Sequence, residues 1–253
     1  MEQDPDMTPA EPARRILVAL DTAEVAAACA LAERLNGAVG GVKLGLEFFT
    51  ANGSPGVEAV AATGQPIFLD LKFHDIPTTV AGAVGAALAL KPFMLTVHAA
   101  GGPAMLRAAM DAVGGPGSGG GPTGGDGRPL VVAVTVLTSL GEDDLRLIGQ
   151  DGPVIEQAGR LADLARGAGI DGVVCSPREV AALRARCGPD FKLVVAGVRP
   201  AWAGADDQKR FATPAEAVAE GADFLVIGRP ITGAPDPVDA ARRIAAEVAE
   251  AGG

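Results

Sequence analysis

The sequence predicts a single-domain (β/α)₈ barrel, a TIM barrel, on three observations. Eight short apolar, β-branched runs recur along 253 residues. Alanine-rich amphipathic stretches separate them, and strict alternation of strand and helix implies a parallel sheet. Charged side chains then collect at the ends of several runs, where a barrel places its chemistry. The length matches the roughly 250 residues typical of such a barrel, and 48% apolar residues suffice for its core. An open doubly wound sheet is the alternative, because alternation alone does not require closure.

The strands are expected at residues 16–20, 41–46, 67–71, 94–98, 130–137, 172–175, 193–196 and 224–227. Helical composition and period mark 23–35, 80–90, 155–168 and 214–220 among the intervening segments. Residues 1–15 are polar and proline-rich and read as a disordered lead-in to a barrel domain at 16–253. Residues 114–127 are glycine-rich and fall in an αβ connection, on the barrel face opposite the chemistry. They read as a flexible insertion rather than a phosphate loop, since no GK[ST] ending follows a strand there.

A net charge of −10 argues against nucleic acid as a partner, because a phosphate backbone needs a basic face. It leaves room for a phosphorylated small molecule, which needs only local cations. No apolar run reaches the roughly 18 residues of a membrane span, and residues 1–15 lack an apolar signal-peptide core. The expected address is therefore the cytoplasm. Cys29, Cys175 and Cys187 lack metal-ligand spacing and read as ordinary reduced thiols.

The strand ends carry the chemistry. Strand one ends in Asp21, strand two contains Lys43, and strand three ends in Asp70, Lys72 and Asp75. Strand four ends in His98 and strand five in Thr138-Ser139, while strands seven and eight end near Arg199 and in Gly228-Arg229. Lys72 stands out by scarcity, being one of five lysines beside sixteen arginines. An ammonium can give up a proton where a guanidinium cannot. Gly228 and Arg229 suit a phosphate, through close backbone approach and a bidentate fork. The segment 200–213 is long for a βα loop and reads as a lid over the ligand.

Each residue also has a plainer reading. Asp21 fits a helix N-cap as well as a ligand contact. Lys43 and Asp70 could form a structural ion pair, and Asp75-Ile76-Pro77 could simply start a helix. His98 could be a satisfied core histidine, His74 an exposed loop residue, and Arg199 a helix cap. Taken together, these readings would require one barrel face to collect charge by accident.

The motifs resemble the orotidine 5′-phosphate decarboxylase family from strand one to strand eight. The matching stretches are Leu20-Asp21, Lys43-Leu44-Gly45-Leu46-Glu47-Phe48-Phe49, Asp70-Leu71-Lys72-Phe73-His74-Asp75-Ile76-Pro77-Thr78-Thr79, Thr96-Val97-His98-Ala99 and Leu137-Thr138-Ser139. Gly197-Val198-Arg199-Pro200, Asp207-Gln208-Lys209-Arg210 and Val226-Ile227-Gly228-Arg229-Pro230-Ile231-Thr232 complete them. The resemblance implies decarboxylation of orotidine 5′-monophosphate to UMP in pyrimidine biosynthesis, with neither metal nor cofactor. It implies that Lys43, Asp70, Lys72 and Asp75 form an alternating charged network and that Lys72 protonates the C6 carbanion. It also implies a homodimer, with Asp75 and Thr79 lent to the neighbouring subunit's site. Asp21, Lys43 and Thr79 would contact the ribose, and Thr138 and Ser139 the pyrimidine. Gln208, Gly228 and Arg229 would hold the phosphate with support from Arg199.

Two rivals stay open on the residues themselves. Related Mg²⁺-dependent sugar-phosphate decarboxylases and aldolases share the DxKxxD core, and a non-catalytic phosphate-binding barrel would share the phosphate end. Thr138-Ser139 and Gln208 weigh against the first, and the intact lysine–aspartate set against the second. A fusion with a phosphoribosyltransferase domain does not fit in this length.

Overall fold

In a computed structural model that describes residues 10–115, 127–203 and 212–251, eight parallel strands close on themselves in sequence order. They are β1 (Ile16–Ala19), β2 (Gly41–Gly45), β3 (Ile67–Phe73), β4 (Met94–His98), β5 (Leu130–Val134), β6 (Gly172–Cys175), β7 (Lys192–Ala196) and β8 (Phe224–Ile227). Closure is explicit in β1, which pairs with β2 through Val18 and Val42 and with β8 through Val18 and Ile227. The open-sheet alternative is thereby excluded. At the start of β6, a Cβ on Gly172 would collide with the Lys192 carbonyl, so only glycine admits β7 at that point.

Two apolar clusters hold the barrel. Leu17, Phe68, Met94, Leu130, Val132, Val194 and Phe224 come from six strands and fill the barrel interior. A larger cluster packs the outer faces of the strands against the surrounding helices. Fully burying a side chain of this kind contributes about 1.5–3 kcal/mol. The strand period of two sorts the interior into layers. Phe68 pairs with Met94 in the apolar plug, and the next inward positions toward the C-terminal ends are Asp70 and Thr96. The polar site thus stands on an apolar floor.

The opposite face is fastened by two arginine–aspartate pairs. Arg128 grips both carboxylate oxygens of Asp171 at 2.7 and 2.8 Å, and Asp171 also accepts from Val131 N–H. Arg184 binds Asp223 at 2.6 Å and donates to the carbonyls of Phe191 and Gly221, while Asp223 accepts from Leu193 N–H. Each pair ties a strand start to its neighbours, far from the strand ends that carry the chemistry.

The expected limits of β1, β2 and β7 shift by one residue each, and three further boundaries need larger corrections. Residues 11–15 are not part of a disordered tail: Glu11–Arg14 form a helical turn with Ala13 buried, and Arg15 donates to the Ala222 carbonyl and accepts from Leu225 N–H. β5 stops at Val134 instead of residue 137, although the N–H and hydroxyl of Thr135 still donate to the Val174 carbonyl of β6. β3 runs on to Phe73 through an irregularity described below. Residues 1–9 and most of the glycine-rich insertion, 116–126, lie outside the described residues. Cys29, Cys175 and Cys187 are free thiols, and no helix is long and apolar enough to cross a membrane among the described residues.

The Arg128 pair sets a stability expectation. Its side chain is 5% exposed, so Arg128→Ala leaves the Asp171 carboxylate without its fork. A loss of about 3–5 kcal/mol is expected, read as a lower urea midpoint at unchanged slope.

Candidate active site

The site is built around a bulge in β3. Leu69 pairs with Leu95 and Phe73 with Val97, so Asp70, Leu71 and Lys72 stand opposite the single residue Thr96. Lys72 absorbs the excess chain with φ at +51°, in the left-handed region. Such a conformation costs a non-glycine residue about 1–3 kcal/mol and persists where its surroundings over-determine it. Here Thr96 does so. Its hydroxyl oxygen accepts from Lys72 N–H at 2.8 Å, and the same hydroxyl donates to Asp70 Oδ1 at 3.0 Å. Thr96 is fully buried, so both bonds are made out of reach of solvent.

Four charges then line up across three strand ends. Lys72 Nζ lies 2.8 Å from each oxygen of Asp70. Asp70 Oδ2 is 3.5 Å from Lys43 Nζ, and Lys43 Nζ is 3.4 Å from Asp21 Oδ1. The order Asp21–Lys43–Asp70–Lys72 alternates in sign. The Lys43 and Asp70 side chains are 11% and 10% exposed, against 30% for Lys72 and 62% for Asp21. Burying the two middle charges costs free energy that only close, hydrogen-bonded partners offset. Lys72 ends the array, open to the barrel mouth and held bidentately from below. Asp21 is not a helix N-cap: the next helix, Val25–Arg34, is capped at Glu24.

The remaining residues of the strand-three motif lie outside this array. Asp75 is exposed, and its carboxylate accepts from Ile76 N–H at 2.6 Å. Ile76, the N-cap, separates it from the helix Pro77–Ala87, on which Thr79 is exposed. Within one chain, therefore, Asp75 and Thr79 are not brought onto Lys72. His98 is half-buried at the end of β4 rather than a core histidine. Its ring stacks on His74, with centroids 5.0 Å apart and planes 18° from parallel. Burial first, then the neighbouring His74 and Lys72, hold the His98 pKa below its ordinary 6.5.

Because all strands are parallel, the other candidates share this mouth. Thr138 and Ser139 follow β5 as exposed loop residues. Thr138, Ser176, Pro177, Glu179, Ala196 and Gly197 line a cavity of ≈ 770 Å³ at the ends of β5, β6 and β7. Burial pushes the Glu179 carboxyl up, and a hydrogen bond from Ser176 N–H at 2.9 Å opposes that shift. Arg199 is buried, and its N–H donates to the Ala212 carbonyl at 3.0 Å, which joins the two ends of the long loop after β7. Near the base of that loop Trp202 lies under the Arg243 guanidinium, 4.1 Å from the ring centroid. Gly228 follows β8, and exposed Arg229 opens the short helix Arg229–Thr232. Gln208 and the 206–210 stretch fall outside the described residues.

Thr96 is the positioning residue that sequence reasoning did not single out. Its signal was faint: one hydroxyl in an apolar run, two residues before His98. Thr96→Val keeps the shape but leaves Lys72 N–H without its acceptor and takes from Asp70 Oδ1 one of its two hydrogen bonds. A destabilisation of about 1–3 kcal/mol is expected, measurable as a lowered thermal midpoint.

The family model described as Orotidine 5'-phosphate decarboxylase / HUMPS family matches residues 14–244. The chain is 58% identical over 233 residues to the orotidine 5'-phosphate decarboxylase of Paramagnetospirillum magneticum, covering 92% of this chain and 97% of that one. It is 56% identical over 234 residues to the protein of the same name from Rhodospirillum rubrum, covering 92% and 93%. The crystal structure of the orotidine 5'-phosphate decarboxylase from Lactobacillus acidophilus superposes with a TM-score of 0.77 at 37% identity, over 93% of this chain and 99% of that one. The matches span the barrel from its first helical turn to its last helix, and the chain belongs to the orotidine 5'-phosphate decarboxylase / HUMPS family.

Proposed function

We propose that this chain decarboxylates orotidine 5′-monophosphate to UMP in de novo pyrimidine biosynthesis, in the cytoplasm and without a metal or cofactor. The observation that carries the reading is the Asp21–Lys43–Asp70–Lys72 array, with a rigidly held ammonium at its open end. The curated relatives are carboxy-lyases by name, which supports the same reaction type here.

The chemistry needs such an ammonium. The bond between C6 and the carboxylate breaks, its electron pair stays on C6, and CO₂ leaves. The resulting carbanion gains little from the ring, so a preorganised positive charge must stabilise it. Lys72 faces C6, offsets the developing charge and transfers a proton from Nζ to C6; the amine then regains a proton from water. Asp70 keeps Lys72 in place through two 2.8 Å contacts, and Lys43 lies 3.5 Å from Asp70 on its other side. Barrier reductions of roughly 8–23 kcal/mol are the usual enzymatic range, and this reaction needs its upper end.

The remaining roles follow the family pattern. Asp21, Lys43 and Thr79 bind the ribose, and Thr138 and Ser139 the pyrimidine. Gln208, Gly228 and Arg229 hold the phosphate, with Arg199 behind them. Phosphate binding is remote from the reacting carbon and serves to organise it. Asp75 and Thr79 act in the partner's site of a homodimer. Their position away from the chain's own Lys72, with exposed Ile76 between them, is in keeping with that assignment.

Three experiments test the reading. Purified protein treated with EDTA is expected to consume the orotidylate absorbance at an undiminished rate. Lys72→Ala is expected to lose at least ~10²–10⁴-fold in kcat while still binding UMP; near-normal turnover by that variant would remove Lys72 as proton donor. Separately inactive Lys72→Ala and Asp75→Asn proteins, mixed and allowed to exchange subunits, are expected to regain turnover. No recovery after proven exchange would place Asp75 in its own chain's site.

A further inference from the structure

The only two histidines of the chain stack on each other beside the charged array, and the reaction outlined above gives neither of them a task. Their placement follows from the bulge. Backbone pairing between β3 and β4 ends with Phe73 opposite Val97, so His74 and His98 are the next pair along the two strands. One step back, Lys72 is tied to Thr96 through its own N–H. The left-handed Lys72 is thus flanked by a hydrogen bond at its own position and by a ring contact two residues later.

We propose that His74 and His98 are a positioning pair whose stacked rings clamp the end of β3 to the end of β4, fixing the Lys72 ammonium, and that the pair works with His98 neutral. The neutral form follows from geometry. His98 Nδ1 accepts from Ala100 N–H at 3.4 Å, which requires an unprotonated Nδ1. Protonation there would break that bond and set an imidazolium beside the Lys72 ammonium. The titratable groups acting on His98 are His74 and Lys72, both from β3 and its extension. From β5 its neighbour is Val134, and residues 99–105, which follow it, carry no titratable side chain. Opposite it, Asp70 is engaged by Lys72, Lys43 and Thr96.

The sign of the pH effect is fixed by the same contacts. Burial, then His74 and Lys72, lower the His98 pKa from its ordinary 6.5, so the clamp is intact at neutral pH and fails only as pH falls through that lowered pKa. The substrate phosphate also titrates near pH 6, so the effect is sought in kcat at saturation, which reports groups in the enzyme–substrate complex.

The inference rests on the decarboxylase reading, and the test separates the two. Wild-type protein inactive on orotidine 5′-monophosphate would sink that reading; an active wild type matched by the variants sinks only the clamp. His74→Ala and His98→Ala are expected to lose about 10- to 100-fold in kcat, the scale of a small misplacement of a reacting group, with KM moving less than about threefold. His74→Phe keeps a stacking ring and should restore most of kcat. His98→Asn keeps an acceptor for Ala100 N–H but neither stacks nor titrates; its kcat should fall at neutral pH as in the alanine variants, and its acid limb should flatten. A folded alanine variant with wild-type kcat overturns the proposal. Should the alanine variants fail to fold, an unchanged acid limb in His98→Asn overturns it.

Discussion

A carboxylate buried at the mouth of an apolar barrel must be neutralised by partners or take up a proton. Asp70 meets this constraint with both oxygens: Lys72 on each, Lys43 on one and the Thr96 hydroxyl on the other. Three strands, β2, β3 and β4, are thereby registered to a single carboxylate. The bulge that places Lys72 is held by these contacts and by the Thr96 bond to Lys72 N–H, against a backbone region that the residue's own Cβ disfavours. Removing Asp70 would release two ammonium groups toward each other and free the bulge at once. In this site the stability of the strand ends and the position of the reacting group are the same physical problem.

The barrel solves the rest of its stability problem at the other end. Arg128 with Asp171 and Arg184 with Asp223 tie strand starts together, and the cluster around Phe68, Met94 and Phe224 fills the interior above them. None of these groups reaches the mouth. Substitutions on the floor therefore change how much protein is folded, whereas substitutions around Thr96 change both that and the placement of Lys72. Such a division lets loops at the ends of β5, β7 and β8 vary while the charged array stays fixed.

How far the sequence could be read depended on whether a feature needed a partner. β4, β6 and β8 match their expected limits residue for residue, because each is an apolar run ended by a polar or glycine residue. The expected β5 is three residues too long, since its apolar run continues past Val134, where pairing with β4 and β6 ends. β3 was drawn two residues short because its bulge exists only against Thr96. The helix Leu46–Ala61 was not singled out at all: Gly53, at φ +59°, and Pro55 interrupt its signal. In the site, Lys43, Asp70 and Lys72 were legible because charges inside apolar runs have no place in a core. Thr96 and the histidine stack were not, since threonine is common in strands and stacking depends on a register shifted by the bulge.

Trp202 gives the molecule an unplanned optical property. The chain has one tryptophan and no tyrosine, so its near-ultraviolet emission comes from a single indole, partly exposed and lying under a guanidinium. That indole sits where the long loop leaves β7, three residues past the buried Arg199. Intrinsic fluorescence of this protein is accordingly a local reading of the loop base and its contact with the last helix. A change in it does not measure global unfolding until the Arg243 contact has been accounted for.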